Sequence, residues 1–206
     1  RRTVQGEVER ALGVLLGQSA RVHVAGRTDA GVHALAQVCS VRTDRDMTTD
    51  RVLRGLNGIL ATDVSAVSVD EVDDDFEPRY RSQGKHYRYR ILNRVGRTSL
   101  HRNRCWHLWA PLDLDAMEDA LAHFRGRHDF SAFRAADCPN RQPIKDLRVA
   151  SLALEAPFVE LHFEASGFLK QMVRIIVGTV VEVGQGKLSA DEIPAIEASR
   201  DRRLAG

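Results

Sequence analysis

Apolar residues recur at helical spacing from the start of the chain. Val4, Val8, Leu12, Leu15 and Leu16 fall on one side of a helix, with Thr3 placed as its N-cap. Short strands are predicted over 22–24 and 35–41. A second helix carries Val52, Leu53, Leu56, Ile59 and Leu60, and strands follow over 64–72 and 84–92. In the 84–92 strand Tyr87, Tyr89 and Ile91 alternate with His86, Arg88 and Arg90, so one face is apolar and aromatic and the other basic. Residues 93–103, with Asn93, Gly96, Thr98 and Ser99 set among arginines, read as a linker. Beyond it come a strand near 104–109, a helix with Leu114, Met117, Leu121 and Phe124, and a polar loop over 126–145. Strands at 146–154 and 158–165 form a hairpin around Pro157, and a strongly apolar helix runs from Phe168 to Val183. A last short helix begins near Ser189, where Ser189 and Glu192 suit a capping box and Pro194 weakens the second turn.

Helices mixed with mostly antiparallel strands predict an α+β fold, with helices covering one face of a sheet and the other face open to a ligand. The chain divides into two similar halves, 1–95 and 104–206. The net charge of +2 hides a strong segregation. Ala61 to Glu77 holds seven acids and no Lys or Arg, whereas Arg79 to Leu112 holds nine Lys or Arg and no acid. Such a stripe suits a phosphate backbone, or else a solvated basic surface. No apolar run approaches the roughly 18–20 residues of a membrane span. Three cysteines, Cys39, Cys105 and Cys138, are odd in number and not in CxxC spacing, which speaks against a disulfide scaffold or a zinc site and for a cytoplasmic protein.

Three features bear on chemistry. Gly26-Arg27-Thr28-Asp29-Ala30-Gly31 places a carboxylate between a guanidinium and a hydroxyl, flanked by glycines that permit close approach of a ligand. An ordinary turn explains the same residues, and His33 beyond it suits a phosphate, a base or a structural role. Arg174 stands among Leu169, Met172, Val173, Ile175, Ile176 and Val177, where a buried charge needs a carboxylate partner. The alternative is that Arg174 reaches solvent along the same stripe as Lys170. Tyr87 on its basic strand suits stacking on an unpaired base, or a place in the core. Other chemistries fare worse. Gly184-Gln185-Gly186-Lys187 lacks P-loop spacing, His123 and His128 are five apart, and no serine stands in a G-x-S-x-G elbow.

Taken together, Gly26 to Ala34, Phe76-Glu77-Pro78-Arg79, Lys85-His86-Tyr87-Arg88-Tyr89, His128 to Arg134 and Phe168 to Gly178 resemble, in order, the blocks of the TruA-type tRNA pseudouridine synthases. The resemblance implies two ferredoxin-like halves joined in one mixed, mostly antiparallel sheet, with an RNA cleft between them. It also implies a homodimer that converts uridine to pseudouridine in the anticodon stem-loop of tRNA, with neither cofactor nor metal. Asp29 would be the catalytic aspartate and Arg174 its ion-pair partner. Tyr87 would stack on the target base and serve in proton transfer, and Arg27 would hold the flipped nucleotide. His33, Arg79, Lys85 and Arg88 are the further RNA contacts expected. Family members carry one strand before the first helix and one after the last, and neither is expected in these residues. A binding-only module that holds tRNA without chemistry is the alternative reading. A metal-dependent hydrolase would need a ligand cluster that the sequence does not assemble.

Overall fold

The computed structural model describes residues 2–206, which form two compact units, one ending at Ser82 and the other running from Gln83 to Gly206. In the first unit, helix α1 (Val4–Leu16) starts where the Thr3 hydroxyl accepts from the Gly6 N–H, 3.1 Å. It ends at Gly17, whose φ of 66° is the left-handed cap a glycine takes at least cost. Strands β1 (His23–Val24) and β2 (Cys39–Ser40) pair antiparallel, and helix α2 (Thr49–Ile59) follows, capped by Thr48. Leu12 and Leu16 of α1 bury against Leu56 of α2 and Val22 as the spacing predicted, joined by Ala11, while Val8 and Leu15 are partly buried and Val4 stands exposed. A four-residue helix, α3 (Pro78–Arg81), closes the unit.

The strand expected over 64–72 does not form a ladder. Asn57 of α2 takes its place as backbone partner: its side chain donates to the Ala66 carbonyl and accepts from the Ala66 N–H, both at 2.9 Å. Ala66 and Val69 still pack on the core, although the segment forms no strand. The 35–41 strand shrinks likewise to its last residues.

In the second unit, strands β3 (Lys85–Asn93), β4 (Trp106–Leu108), β5 (Gly126–Asp129), β6 (Ile144–Glu155) and β7 (Phe158–Ala165) form one sheet in the order β4-β3-β7-β6-β5. Only the β3–β4 pair is parallel. Helices α4 (Leu114–Ala122) and α5 (Met172–Gly184) cover one face, where Met117, Leu121 and Ile176 meet Leu147, Leu161 and Phe163 in a dry core. Ser189 and Glu192 do form a capping box, on a single 3-10 turn. Helix α6 (Ile193–Ser199) follows, with Pro194 in its first turn, where the missing N–H costs nothing.

Three expectations change here. The 93–103 segment joins β3 to β4, adjacent strands of one sheet, so it is a crossover inside the second unit and not a linker between halves. The strand over 84–92 accordingly pairs within the second unit. The polar loop over 126–145 contains β5 and a 3-10 turn, Phe130–Phe133, that buries both phenylalanines. Gly126-Arg127-His128-Asp129 has no apolar alternation, and its strand exists through pairing with β6 alone. The apolar helix begins at Met172 because Gln171 takes a left-handed φ of 60°.

Candidate functional site

The Asp29 loop is the long connection between β1 and β2. Its base is tied by the Ala25 N–H donating to the Val38 carbonyl, 3.0 Å, and by the Gln37 amide donating to the Gly26 carbonyl, 2.7 Å. At its tip the Val32 N–H donates to the Asp29 carbonyl, 3.1 Å, closing a turn whose third residue, Gly31, has φ of 83°. A positive φ at that position is the feature that selects glycine. The turn reading is therefore correct for these residues, and the turn is compatible with a functional role for Asp29. Its effect is to spend the Asp29 backbone on the turn and leave the side chain exposed. Among the described residues the Asp29 carboxylate has no hydrogen bond or ion pair, and neither has the exposed Arg27 guanidinium. His33 is exposed on the same loop, and Arg79 is exposed on α3.

The second unit presents a different set. Strand alternation places Tyr87, Tyr89 and Ile91 on the helix-covered face of β3. Tyr87, half-buried, meets Phe168 edge-on at 4.9 Å between ring centroids, and Tyr89 meets Trp106 in the same manner at 6.4 Å. Burial pushes the Tyr89 phenol above its ordinary pKa, and the positive charge of Arg174 pulls it back down. Arg174 therefore lies within electrostatic reach of this aromatic face. Of the two readings its apolar neighbours left open, the structure gives the exposed one. Residues 174, 178 and 182 form the single stripe of α5 that escapes the core, and Arg174 occupies the exposed position of that stripe. It carries no ion pair among the described residues.

Lys85 stands half-buried at the start of β3. Arg88 is on the face opposite Tyr87. There Arg88 and Arg90 converge on the buried Glu160 of β7, at 3.4 and 2.8 Å, and His86 stacks on His162. Arg88 thus shares Glu160 with Arg90 on the face of the sheet opposite Tyr87. Sequence reasoning passed over Phe168 as a partner of Tyr87, although it opens the last of the motif blocks.

The arrangement provides an uncommitted carboxylate and guanidinium on an exposed loop of one unit, and an aromatic platform beside an uncommitted guanidinium on the other. Comparison with known proteins decides what family uses such parts. Residues 120–206 match a family model described as tRNA pseudouridine synthase. The tRNA pseudouridine synthase A of Myxococcus xanthus is 46% identical over 207 residues, covering 99% of this chain and 77% of that protein. Proteins of the same name from Geotalea uraniireducens (strain Rf4) and Acetivibrio thermocellus are 42% and 43% identical, over 99% and 100% of the chain and 84% of each relative. The chain belongs to the tRNA pseudouridine synthase A family. These alignments run through both units and so take in the Asp29 loop, the β3 tyrosines and the start of α5 in pseudouridine synthases from distant bacteria. The mixed α+β architecture, with helices on one face of the sheet, fits the pseudouridine synthase fold. No helix among the described residues is long and apolar enough to cross a membrane.

Proposed function

We propose that this chain isomerises uridine to pseudouridine in tRNA, within the anticodon stem-loop, with Asp29 at the reacting sugar. The observation that carries the reading is identity to synthases of that name over almost the whole chain. The reaction breaks the C1′–N1 bond of a uridine, turns the uracil and joins C1′ to C5; the C5 hydrogen leaves as a proton and N1 gains one. Nothing is oxidised or reduced. A base inside a stem must first leave the stack, at a cost of about a few kcal/mol, which the protein recovers by stacking and phosphate contacts.

An ionised Asp29 acts at the sugar as a nucleophile on C1′ or as the base that takes a sugar proton. Both routes need a carboxylate that is not already taken up by another group, and the turn at Gly31, which engages only the Asp29 backbone, supports this reading. Arg174, as the expected ion-pair partner of Asp29, would keep it ionised, since a neighbouring cation favours the charged carboxylate. Tyr87 would carry the turned uracil against its ring and relay the C5 proton, while Arg27 and His33 would hold the displaced strand. Arg79 and Lys85 would add phosphate contacts. The ferredoxin-like halves, the cleft between them, the homodimer and the cytoplasmic location belong to the same reading.

Incubation of unmodified tRNA with the chain, followed by digestion and chromatography of the nucleosides, should convert uridine to pseudouridine. Mapping the product by carbodiimide-adduct stops in reverse transcription should place it in the anticodon stem-loop. Bound tRNA with no pseudouridine would favour the binding-only alternative.

A further inference from the structure

We propose that the segment from Arg94 to Trp109 is a second contact surface for tRNA, where Arg97, Arg102 and Arg104 take backbone phosphates and the two tryptophans offer faces to unpaired bases. This inference rests on the reading of the chain as a tRNA-modifying enzyme and adds to it a surface beyond the Asp29 loop and Tyr87.

The segment is a built arm. It leaves β3, folds back and returns as β4, the edge strand of the sheet. Asn93 donates through its side chain to the carbonyls of Leu108 and Ala110, at 3.0 and 2.6 Å. Arg94 spends its guanidinium on the carbonyls of Gly96 and Arg97, at 3.1 and 3.2 Å. The Cys105 thiol lies 3.3 Å from the His101 carbonyl, and the Thr98 hydroxyl accepts from the His101 N–H at 3.3 Å. These bonds hold the backbone of the arm.

The cations of the basic stripe are not equivalent. Arg88 and Arg90 are paired with the one carboxylate of Glu160, and Arg94 serves its own backbone. Arg97, Arg102 and Arg104 are exposed, and none has a carboxylate partner among the described residues. Apolar side chains stand beside them in the open: Val95 is 85% exposed, Leu100 89% and Trp109 74%. The chain has two tryptophans, and both are here, Trp106 being 37% exposed on the edge strand. Large aromatic rings left in water beside unpaired guanidinium groups suit a ligand with both phosphates and π-faces. Trp106 also touches Tyr89 edge-on, and Tyr89 is two residues from Tyr87 on the same face of β3, so an aromatic row Phe168–Tyr87–Tyr89–Trp106 leads from the candidate site to the arm.

Charge selects RNA over a second copy as the occupant. From Arg79 to Leu112 there is no acid, so two copies of this surface brought together would place cation against cation.

Because both tryptophans lie in the arm, intrinsic emission of the full chain reports on it without a label. During titration with tRNA, emission should change with the same midpoint as retention of tRNA on a filter, and Trp109→Phe should shrink the change. A triple variant, Arg97→Gln, Arg102→Gln and Arg104→Gln, should bind about tenfold or more weakly at low salt. Its plot of log affinity against log salt should be shallower by about three, near one per lost phosphate contact. Circular dichroism should be unchanged, since these side chains hold nothing else in the fold. Retention of tRNA with unchanged emission, or a triple variant with the parent's salt slope, would overturn the proposal. Emission that shifts with protein concentration in the absence of tRNA would assign the surface to self-association and overturn it too. Failure of the parent to retain tRNA at all would instead bring down the functional reading beneath it.

Discussion

Asp29 and Gly31 belong to one turn, and the division of labour between them sets what substitution should do. Gly31 has φ of 83° and open space around the position a Cβ would take, so Gly31→Ala meets no clash and only backbone strain. It should cost about 1 kcal/mol locally, barely move the melting temperature of so exposed a loop, and lower turnover because the Asp29 carboxylate is re-aimed. Arg174 makes the complementary case. On the exposed stripe of α5 it has no contact that stability depends on, so Arg174→Ala should change unfolding free energy by less than about 0.5 kcal/mol. Turnover should nevertheless fall by about 100-fold or more if its charge steadies Asp29 in the reaction. Denaturation curves and single-turnover rates on the same preparations separate the two effects. A large loss of stability with rate intact would reverse the assignment. The motif residues themselves were legible because turn-forming glycines and an arginine among aliphatics stand out from their surroundings. The exposure of Arg174 was one of two readings the sequence left open, because a stripe one residue wide in a helix that is otherwise buried gives little periodic signal.

At the scale of elements, the α1–α2 pair is fastened by one carboxylate. Glu7 accepts from the Arg10 guanidinium at 2.7 Å and from the Ala61 N–H at 3.0 Å, just past the end of α2. First the Arg10 bond and then the Ala61 N–H hold its carboxyl down from the ordinary 4.5 to about 2. A group depressed in the folded state contributes stability that is complete above its unfolded pKa and is lost as pH falls through the folded one. The urea midpoint of the parent should therefore decline between about pH 5 and pH 2, and Glu7→Gln should lower the midpoint at pH 7 and flatten that decline. An unchanged acid limb in the variant would show that other carboxylates govern it. Elements with strong periodicity, α1, α2, β3, β6, β7 and α4, were read from the sequence close to their bounds. What escaped was pairing: the 64–72 strand gave way to the Asn57 side chain, and β5 exists only through its ladder with β6. Neither a substitute partner nor a ladder is encoded in the spacing of apolar residues.

Across the whole chain, the second unit carries most of the buried apolar mass, and its sheet is the floor on which the aromatic residues stand. Phe163, fully buried on β7 opposite Tyr87 in register, is central to that floor. Phe163→Ala should destabilise this unit by about 3–5 kcal/mol, the usual cost of emptying a large buried aromatic site. Tyr87 would then lose its position with no change in its own chemistry, visible as a loss of near-ultraviolet dichroism. The segregation of charge, acidic over 61–77 and basic over 79–112, was plain from the sequence, and its meaning was not. Arg88 and Arg90 share the single carboxylate of Glu160 on the face away from Tyr87, and only the fold distinguishes these paired cations from those of the arm.

Release of tritium from tRNA labelled at uridine C5 tests the central claim most directly, because that hydrogen must leave when C5 takes the glycosidic bond. The parent chain should release tritium and Asp29→Ala should release none, with tRNA still bound by both. Release undiminished in Asp29→Ala would contradict it, as would bound tRNA from which the parent releases nothing.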